Sequence, residues 1–388
     1  MTPGPSEGQW GSCYKNPLPS TCRYKKSLRS RVRQAAVVEL GPVEVVSKPR
    51  WRHRDDGLVE LWYEAYDRWQ ALLPWTGSVL EALERGSDAA ELLEVAKAHS
   101  PGKDPERRLR SFLFSLSVNG YVRLPGDDPP DVYDGRFERV RELGRGGVSI
   151  LDLCRDRADG TEVVVKRAWD YLVPMAHADG SVRNEADVLP SLDHPGVVSF
   201  VHAFERDDRL HLVRSFVDGA DVLFRLGYVG AKDARQAALL ARSVGRIVEH
   251  LHERGFLLLD LHPGNFLARR LRAGDLILID VGHAQRMLDG RAQLRTPAGT
   301  RAFAAPEVRR DRVADVRSDV YSLGRFLFFV ATGIIPRARW NASELHDRVT
   351  DPVLSAAVHA MTRQDPQLRP ATIAEALVLL EDIGPPPS

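Results

Sequence analysis

At 388 residues, 43% hydrophobic and 28% charged, the chain has the length of two or three domains and the composition of an ordinary globular protein. A formal net charge of +1 gives no general field that would draw the molecule to nucleic acid or to a membrane surface. No run approaches the ~20 apolar residues of a spanning helix; the closest, Phe326 to Pro336, reads as a buried helix.

Residues 1–35 read as a flexible basic arm. Lys15, Arg23, Lys25, Lys26, Arg29, Arg31 and Arg33 crowd it with almost no acid between them. A solvated arm is the plain reading, and docking to an acidic partner is the sharper one. The opening residues have no apolar core, so they do not read as a secretory signal. Cys13, Cys22 and Cys154 form no recognisable framework, which points to reduced thiols and a cytoplasmic location.

From residue 36 the pattern changes. Residues 35–40 and 43–46 read as strands, and Leu58 to Tyr63 forms another after the turn Asp55-Asp56-Gly57. Three helices follow. Val79, Leu80 and Leu83 make an apolar face that ends at Gly86; Ser87 is the expected N-cap of the second helix; Pro105 opens a third that carries Leu109, Phe112, Leu113 and Leu116. Asn119-Gly120 then turns into the strand Tyr121 to Leu124. This order over residues 36–124 resembles a small winged-helix domain, and more closely a PqqD-like peptide-recognition domain. That resemblance implies a partner: the leader of a ribosomally made precursor peptide, added to the small sheet as a strand. DNA binding ranks lower, because the third helix mixes Arg107, Arg108 and Arg110 with Glu106 and has no clear basic stripe.

Pro125, Pro129 and Pro130 among acids mark residues 125–136 as a linker. Beyond it lies a glycine-rich turn between strands, Gly144, Arg145, Gly146, Gly147, Val148 and Ser149, where backbone amides can approach phosphate oxygens. Val163-Val164-Val165-Lys166 is a strand ending in a lysine, and Glu185 sits in a helical run after it. Asp260-Leu261-His262-Pro263-Gly264-Asn265 precedes an apolar strand and Asp280-Val281-Gly282. Gly299 to Glu307, Ser318 to Gly324 and Asp365 to Pro370 complete the series.

These motifs, in this order over residues 137–384, resemble the protein kinase family of the Ser/Thr type. The resemblance implies an α+β, bilobal kinase-like fold after the winged-helix-like domain, with ATP and magnesium (Mg²⁺) between the lobes. It places the nucleotide on Gly144, Gly146, Gly147, Ser149, Lys166, Glu185 and the hinge residues Phe216 and Val217. It assigns the metal to Asn265 and Asp280, and catalysis to Asp260, Lys166 and His262. It also implies that Asp319 anchors the catalytic loop and that Arg369 pairs with Glu307.

Three positions depart from the pattern. Leu258-Leu259 replaces the usual His-Arg, which removes the common partner of a phosphorylated activation loop. His262 replaces a lysine, as in antibiotic kinases. Arg214 falls at or near an apolar position at the back of the adenine pocket, where a buried arginine needs a partner. The leading expectation is therefore an active kinase of peptide or protein Ser/Thr hydroxyls. A pseudokinase scaffold and a small-molecule kinase are the alternatives.

Overall fold

The computed structural model describes residues 42–63, 68–102, 104–124, 129–145, 149–168, 177–206, 209–227, 229–271, 275–295, 298–381 and 383. The basic arm, the strand expected at 35–40, and Gly146 and Gly147 lie outside them. After β1 (Glu44–Val45), strands β2 (Trp51–His53), β3 (Val59–Tyr63) and β4 (Arg68–Leu72) form an antiparallel sheet in the order β2-β3-β4. Alternation along β3 buries Val59 and Leu61 fully, and turns Glu60 and Trp62 to the other face. On that face Trp62 meets Trp69 edge to face, and the Arg52 guanidinium lies 4.4 Å from the Trp69 ring centre.

Helices α1 (Trp75–Glu84), α2 (Ala89–His99) and α3 (Pro105–Val118) cover the opposite side. The apolar positions read from the sequence, Val79, Leu80, Leu83, Leu109, Phe112, Leu113 and Leu116, are all buried. Asp88, not Ser87, caps α2. Its carboxylate accepts from the Glu91 amide at 2.9 Å, and Glu91 returns the bond to the Asp88 amide. Ser87 instead bonds back to Ala82 and closes α1. Strand β5 (Val122–Arg123) then pairs with β1.

The next sheet has six strands in the order β10-β11-β9-β8-β7-β6. Its members are β6 (Val132–Tyr133), β7 (Phe137–Arg145), β8 (Ser149–Asp156), β9 (Glu162–Ala168) and, after α4 (His177–Val188), β10 (Phe200–Arg206) and β11 (Arg209–Ser215). Residues 132–133, read from the sequence as linker, are thus an edge strand of this sheet. Tyr133 is fully buried beside Phe137, Cys154, Val163, Val165 and Val213, and its hydroxyl donates to Asp152 at 2.6 Å.

The remaining half is mainly helical. It contains β12 (Ala220–Asp221), α5 (Val222–Leu226), α6 (Ala234–Glu253), β13 (Phe256–Leu257), β14 (Phe266–Ala268), β15 (Leu276–Leu278), β16 (Gln285–Arg286) and β17 (Arg291–Gln293). Then come α7 (Pro306–Arg310), β18 (Val313–Asp315), α8 (Val316–Thr332), α9 (Ala342–His346), α10 (Pro352–Met361) and α11 (Ile373–Val378). Helix α8 is the central element: it is buried from Ser318 to Val330, so its sequence is apolar on nearly every face. It stops where Gly333 turns left-handed, at φ 70°. The apolar run read as one buried helix therefore ends early, and Ile334 and Ile335 are exposed. Among the described residues no helix is long and apolar enough to cross a membrane.

Candidate active site

Strand β9 carries Lys166 to a buried position. Its ammonium lies 2.5 Å from Glu185 Oε2 and 2.7 Å from Asp280 Oδ2. Lys166 and Glu185 are buried, while Asp280 is about one-third exposed. Burial alone would discharge the lysine, but the Asp280 and Glu185 carboxylates raise its pKa, so it stays protonated. Burial acts on Asp280 in the opposite sense to its partners. The Lys166 ammonium and the Gly282 amide prevail and hold its carboxyl well below the usual range. Helix α4 is tied to the segment after Asp280 by Asn184, whose amide donates to Gly282 O at 3.0 Å and Ala284 O at 2.8 Å.

The loop before Asn265 is fixed from beneath by Asp319 of α8, a carboxylate fully shielded from solvent. It accepts from the amides of Leu258 (2.8 Å) and Leu259 (2.9 Å) and faces His252 Nε2 at 2.8 Å. Leu259 is held at φ 61°, a left-handed conformation that costs an L-residue of this kind about 1–3 kcal/mol. The backbone bonds to Asp319 hold it there. The anchoring therefore uses main-chain amides, and Leu258-Leu259 supports it without a His-Arg pair. His252 was not found from the sequence; it lies 67 positions from Asp319, and no local pattern marks it.

Asp260 emerges from this turn with its side chain largely buried. Its Oδ1 accepts from the Thr300 amide at 2.7 Å; its Oδ2 lies 3.4 Å from Asn265 Nδ2 and 3.7 Å from His262 Nε2. His262 Nδ1 accepts from the Gly264 amide at 3.1 Å, so the neutral ring carries its proton on Nε2, toward Asp260. The approach of residues 299–300 to this loop depends on Gly299. It sits at φ 81°, and an added Cβ would overlap the Leu259 carbonyl oxygen.

Gly144 and Ser149 flank the glycine-rich turn from within β7 and β8; Ser149 is buried opposite Ala168. Arg145 on the same turn is held by Glu142 at 2.6 Å and reaches Ser117 of α3 at 3.1 Å. Phe216 and Val217 follow β11 as half-buried connecting residues. Arg214 is on β11 itself, 4% exposed, with its Nε 3.8 Å from Glu185 Oε1. The arginine is inside, and a carboxylate faces it.

Below the loop, Arg369 grips Glu307 with two bonds, of 2.7 and 3.0 Å. Arg325, which the sequence reading did not single out, is almost wholly buried. It donates to the carbonyls of Ala302 (2.5 Å), Arg337 (2.6 Å) and Trp340 (3.2 Å). It thus fixes the segment from Thr300 to Glu307 against α8.

The donor set suits a cation that arrives with phosphates. Among the described residues no three His, Cys, Asp or Glu converge on one point. Mg²⁺ is commonly held by one or two carboxylates together with substrate phosphates and water. Asp280 supplies an ionised, accessible carboxylate. Asn265 donates its amide nitrogen to Asp260 O at 2.9 Å, which leaves its carbonyl oxygen to offer.

A family model described as a protein kinase domain matches residues 137–382. The chain belongs to the protein kinase family. It is similar to calcium-dependent protein kinase 9 of Oryza sativa subsp. japonica, 32% identical over 61% of this chain and 43% of the relative. It is also similar to the serine/threonine-protein kinase AtPK1/AtPK6 of Arabidopsis thaliana, 28% identical over 60% of this chain and 47% of the relative. Serine/threonine-protein kinase PknJ of Mycobacterium bovis is 32% identical over 58% of this chain and 40% of the relative. The chain spans less than half the length of these relatives. The three-stranded sheet and helices α1 to α3 precede the residues that match the kinase domain.

Proposed function

We propose that this protein kinase is active and transfers the γ-phosphoryl group of ATP, with Mg²⁺, to Ser or Thr hydroxyls of a peptide or protein. The observation that carries the reading is the Lys166 ammonium held between Glu185 and Asp280. A scaffold has no need to keep a protonated lysine and an ionised, accessible carboxylate in contact. Mg²⁺-bound ATP supplies the phosphoryl group and neutralises its charge. Lys166 holds phosphate oxygens, with Gly144, Gly146, Gly147 and Ser149 around the glycine-rich turn and Phe216 and Val217 beside the base. Asn265 and Asp280 would hold the metal. Asp260 orients the acceptor hydroxyl and takes its proton on Oδ2, while the Thr300 amide fixes the carboxylate through Oδ1. His262, whose Nε2 stands 3.7 Å from the same carboxylate and outside hydrogen-bond distance, contacts the transferring phosphoryl group.

The substrate reading is a ribosomally made precursor peptide whose leader is recognised by residues 36–124 as a PqqD-like, winged-helix-like module, joined by residues 125–136 to the kinase domain at 137–384. Supporting it, the sheet β2-β3-β4 is backed by three helices and pairs with no further strand among the described residues, so a strand can be added at its edge. The test is removal of residues 1–124. ATP hydrolysis should persist, since every catalytic motif lies from Gly144 onward. The apparent KM for a full precursor should rise, because tethering contributes effective concentration and not chemistry. A leaderless peptide should be phosphorylated equally poorly by both forms. The same concentration dependence for the precursor with and without the domain would refute leader recognition. Loss of ATP hydrolysis would make the domain, which touches the glycine-rich turn through Ser117, part of the kinase fold.

A further inference from the structure

Arg214 brings a fourth charge to the group formed by Lys166, Glu185 and Asp280. Strand register explains how it gets there. Antiparallel pairing of β9 and β11 sets Leu212 opposite Lys166 and Arg214 opposite Val164. Opposed residues share a face, and so do residues two apart, so Arg214 lies diagonal to Lys166 on the same face of the sheet. There the two oxygens of Glu185 are divided between two cations: Oε2 faces Lys166 at 2.5 Å and Oε1 faces Arg214 Nε at 3.8 Å. Neither Glu185 Oε1 nor Arg214 Nε has a hydrogen-bond partner among the described residues. Their attraction is therefore Coulombic, in a pocket where Glu185 is fully buried and Arg214 nearly so. Burial pushes the Glu185 carboxyl up, and the Lys166 ammonium and then the Arg214 guanidinium pull against it. With both carboxylates ionised, two cations stand against two anions; without Arg214 the same group would carry a single negative charge.

We propose that Arg214 is a positioning residue that sets the charge of the nucleotide–metal site. As a second counter-ion it favours the ionised form of Glu185 and holds it in place when Lys166 turns to phosphate. Its charge also shifts the balance between the two ligands of the site. It attracts a polyphosphate and repels a divalent cation, so the protein holds metal-free nucleotide better, and gains less from Mg²⁺, than it would with a neutral side chain. This inference rests on the kinase reading of the same site.

The experiment is equilibrium binding of a non-hydrolysable ATP analogue to the intact protein, once in excess chelator and once in excess Mg²⁺. The readout is the ratio of the two dissociation constants, which needs no turnover. Arg214→Met and Arg214→Gln remove the charge, and Arg214→Lys keeps it; thermal denaturation reports whether each is folded. The ratio of metal-free to Mg²⁺-loaded Kd should rise about tenfold in the two neutral variants, the order expected for a unit charge several ångströms away in a partly screened site. It should stay near the parental value with lysine. A ratio unchanged in the neutral variants overturns the proposal, and so does a lysine variant that behaves like the methionine one. If Met does not fold, Gln carries the test. If neither folds, Glu185→Gln is compared with Glu185→Gln combined with Arg214→Met, and the ratio should again rise on loss of the arginine. A parental protein that binds the analogue under neither condition would overturn the kinase reading instead, so the two failures are distinct.

Discussion

Replacing Arg369 by Leu should be among the most damaging single changes in the kinase domain. The guanidinium is buried, bonds both oxygens of Glu307, and also donates to the carbonyls of Arg363 (2.7 Å), Arg317 (3.0 Å) and Gln364 (3.2 Å). Leucine fills part of the volume but leaves Glu307 as a poorly solvated carboxylate; only the Ser318 hydroxyl, at 2.9 Å, still donates to it among the described residues. Breaking a buried pair from one side costs about 3–5 kcal/mol. For a domain of this size that corresponds to a fall in Tm of roughly 6–20 °C, at about 2–4 °C per kcal/mol. Glu307→Gln removes the stranded charge, so the double variant should lose clearly less than the sum of the two single losses. Urea unfolding followed by tryptophan fluorescence measures all three. A loss below about 1 kcal/mol in Arg369→Leu, or strict additivity, would refute the argument that the pair is coupled and shielded.

Two further outcomes follow from the charges described. Asp280→Asn should weaken nucleotide binding more with Mg²⁺ than without it, as read by parallel titrations; equal losses would count against a metal role and for a folding defect. His194 is held below its ordinary 6.5 by burial and then by the neighbouring His250, and its Nδ1 accepts from the Gly196 amide at 2.9 Å. The unfolded chain therefore binds more protons between that depressed value and 6.5, so stability from this site is complete above 6.5 and falls as the pH drops through the window. His194→Asn, whose side-chain oxygen can accept the same bond, should flatten that part of a urea-midpoint profile; an unchanged slope would contradict the assignment.

Elements with a strong period were legible in the sequence. The three helices after residue 74 showed their apolar faces, and Lys166, Glu185, Asp260, Asn265 and Asp280 stood in recognisable order. Strands β2 and β4 were not legible: β2 is only Trp51-Arg52-His53, and in β4 the alternation of Trp69 and Ala71 with Arg68 and Gln70 is too short to mark a strand. Val132–Tyr133 was hidden behind Pro129-Pro130, where turn chemistry outweighed two residues of strand. Local spacing could not pair Arg214 with Glu185, because that contact depends on the register of β9 against β11 and the placing of α4. Arg325 escaped notice for a related reason: a lone arginine in an apolar helix has no visible partners until the backbone carbonyls of Ala302, Arg337 and Trp340 are folded around it.

Asp260, set by Asp319 beneath it and Thr300 beside it, is proposed as the base of a phosphoryl transfer, and the mechanism stands or falls with it. The deciding assay is Mg²⁺-dependent transfer of labelled γ-phosphate from ATP to Ser- and Thr-containing peptides, with identification of the phosphorylated residue, for the parent and Asp260→Asn. The parent should yield phosphoserine or phosphothreonine. The variant should remain folded and bind nucleotide, with transfer slowed roughly 10²–10⁴-fold, the usual worth of a positioned base. Equal rates in the two proteins, or no transfer by a parent that binds the nucleotide and Mg²⁺, would contradict this role.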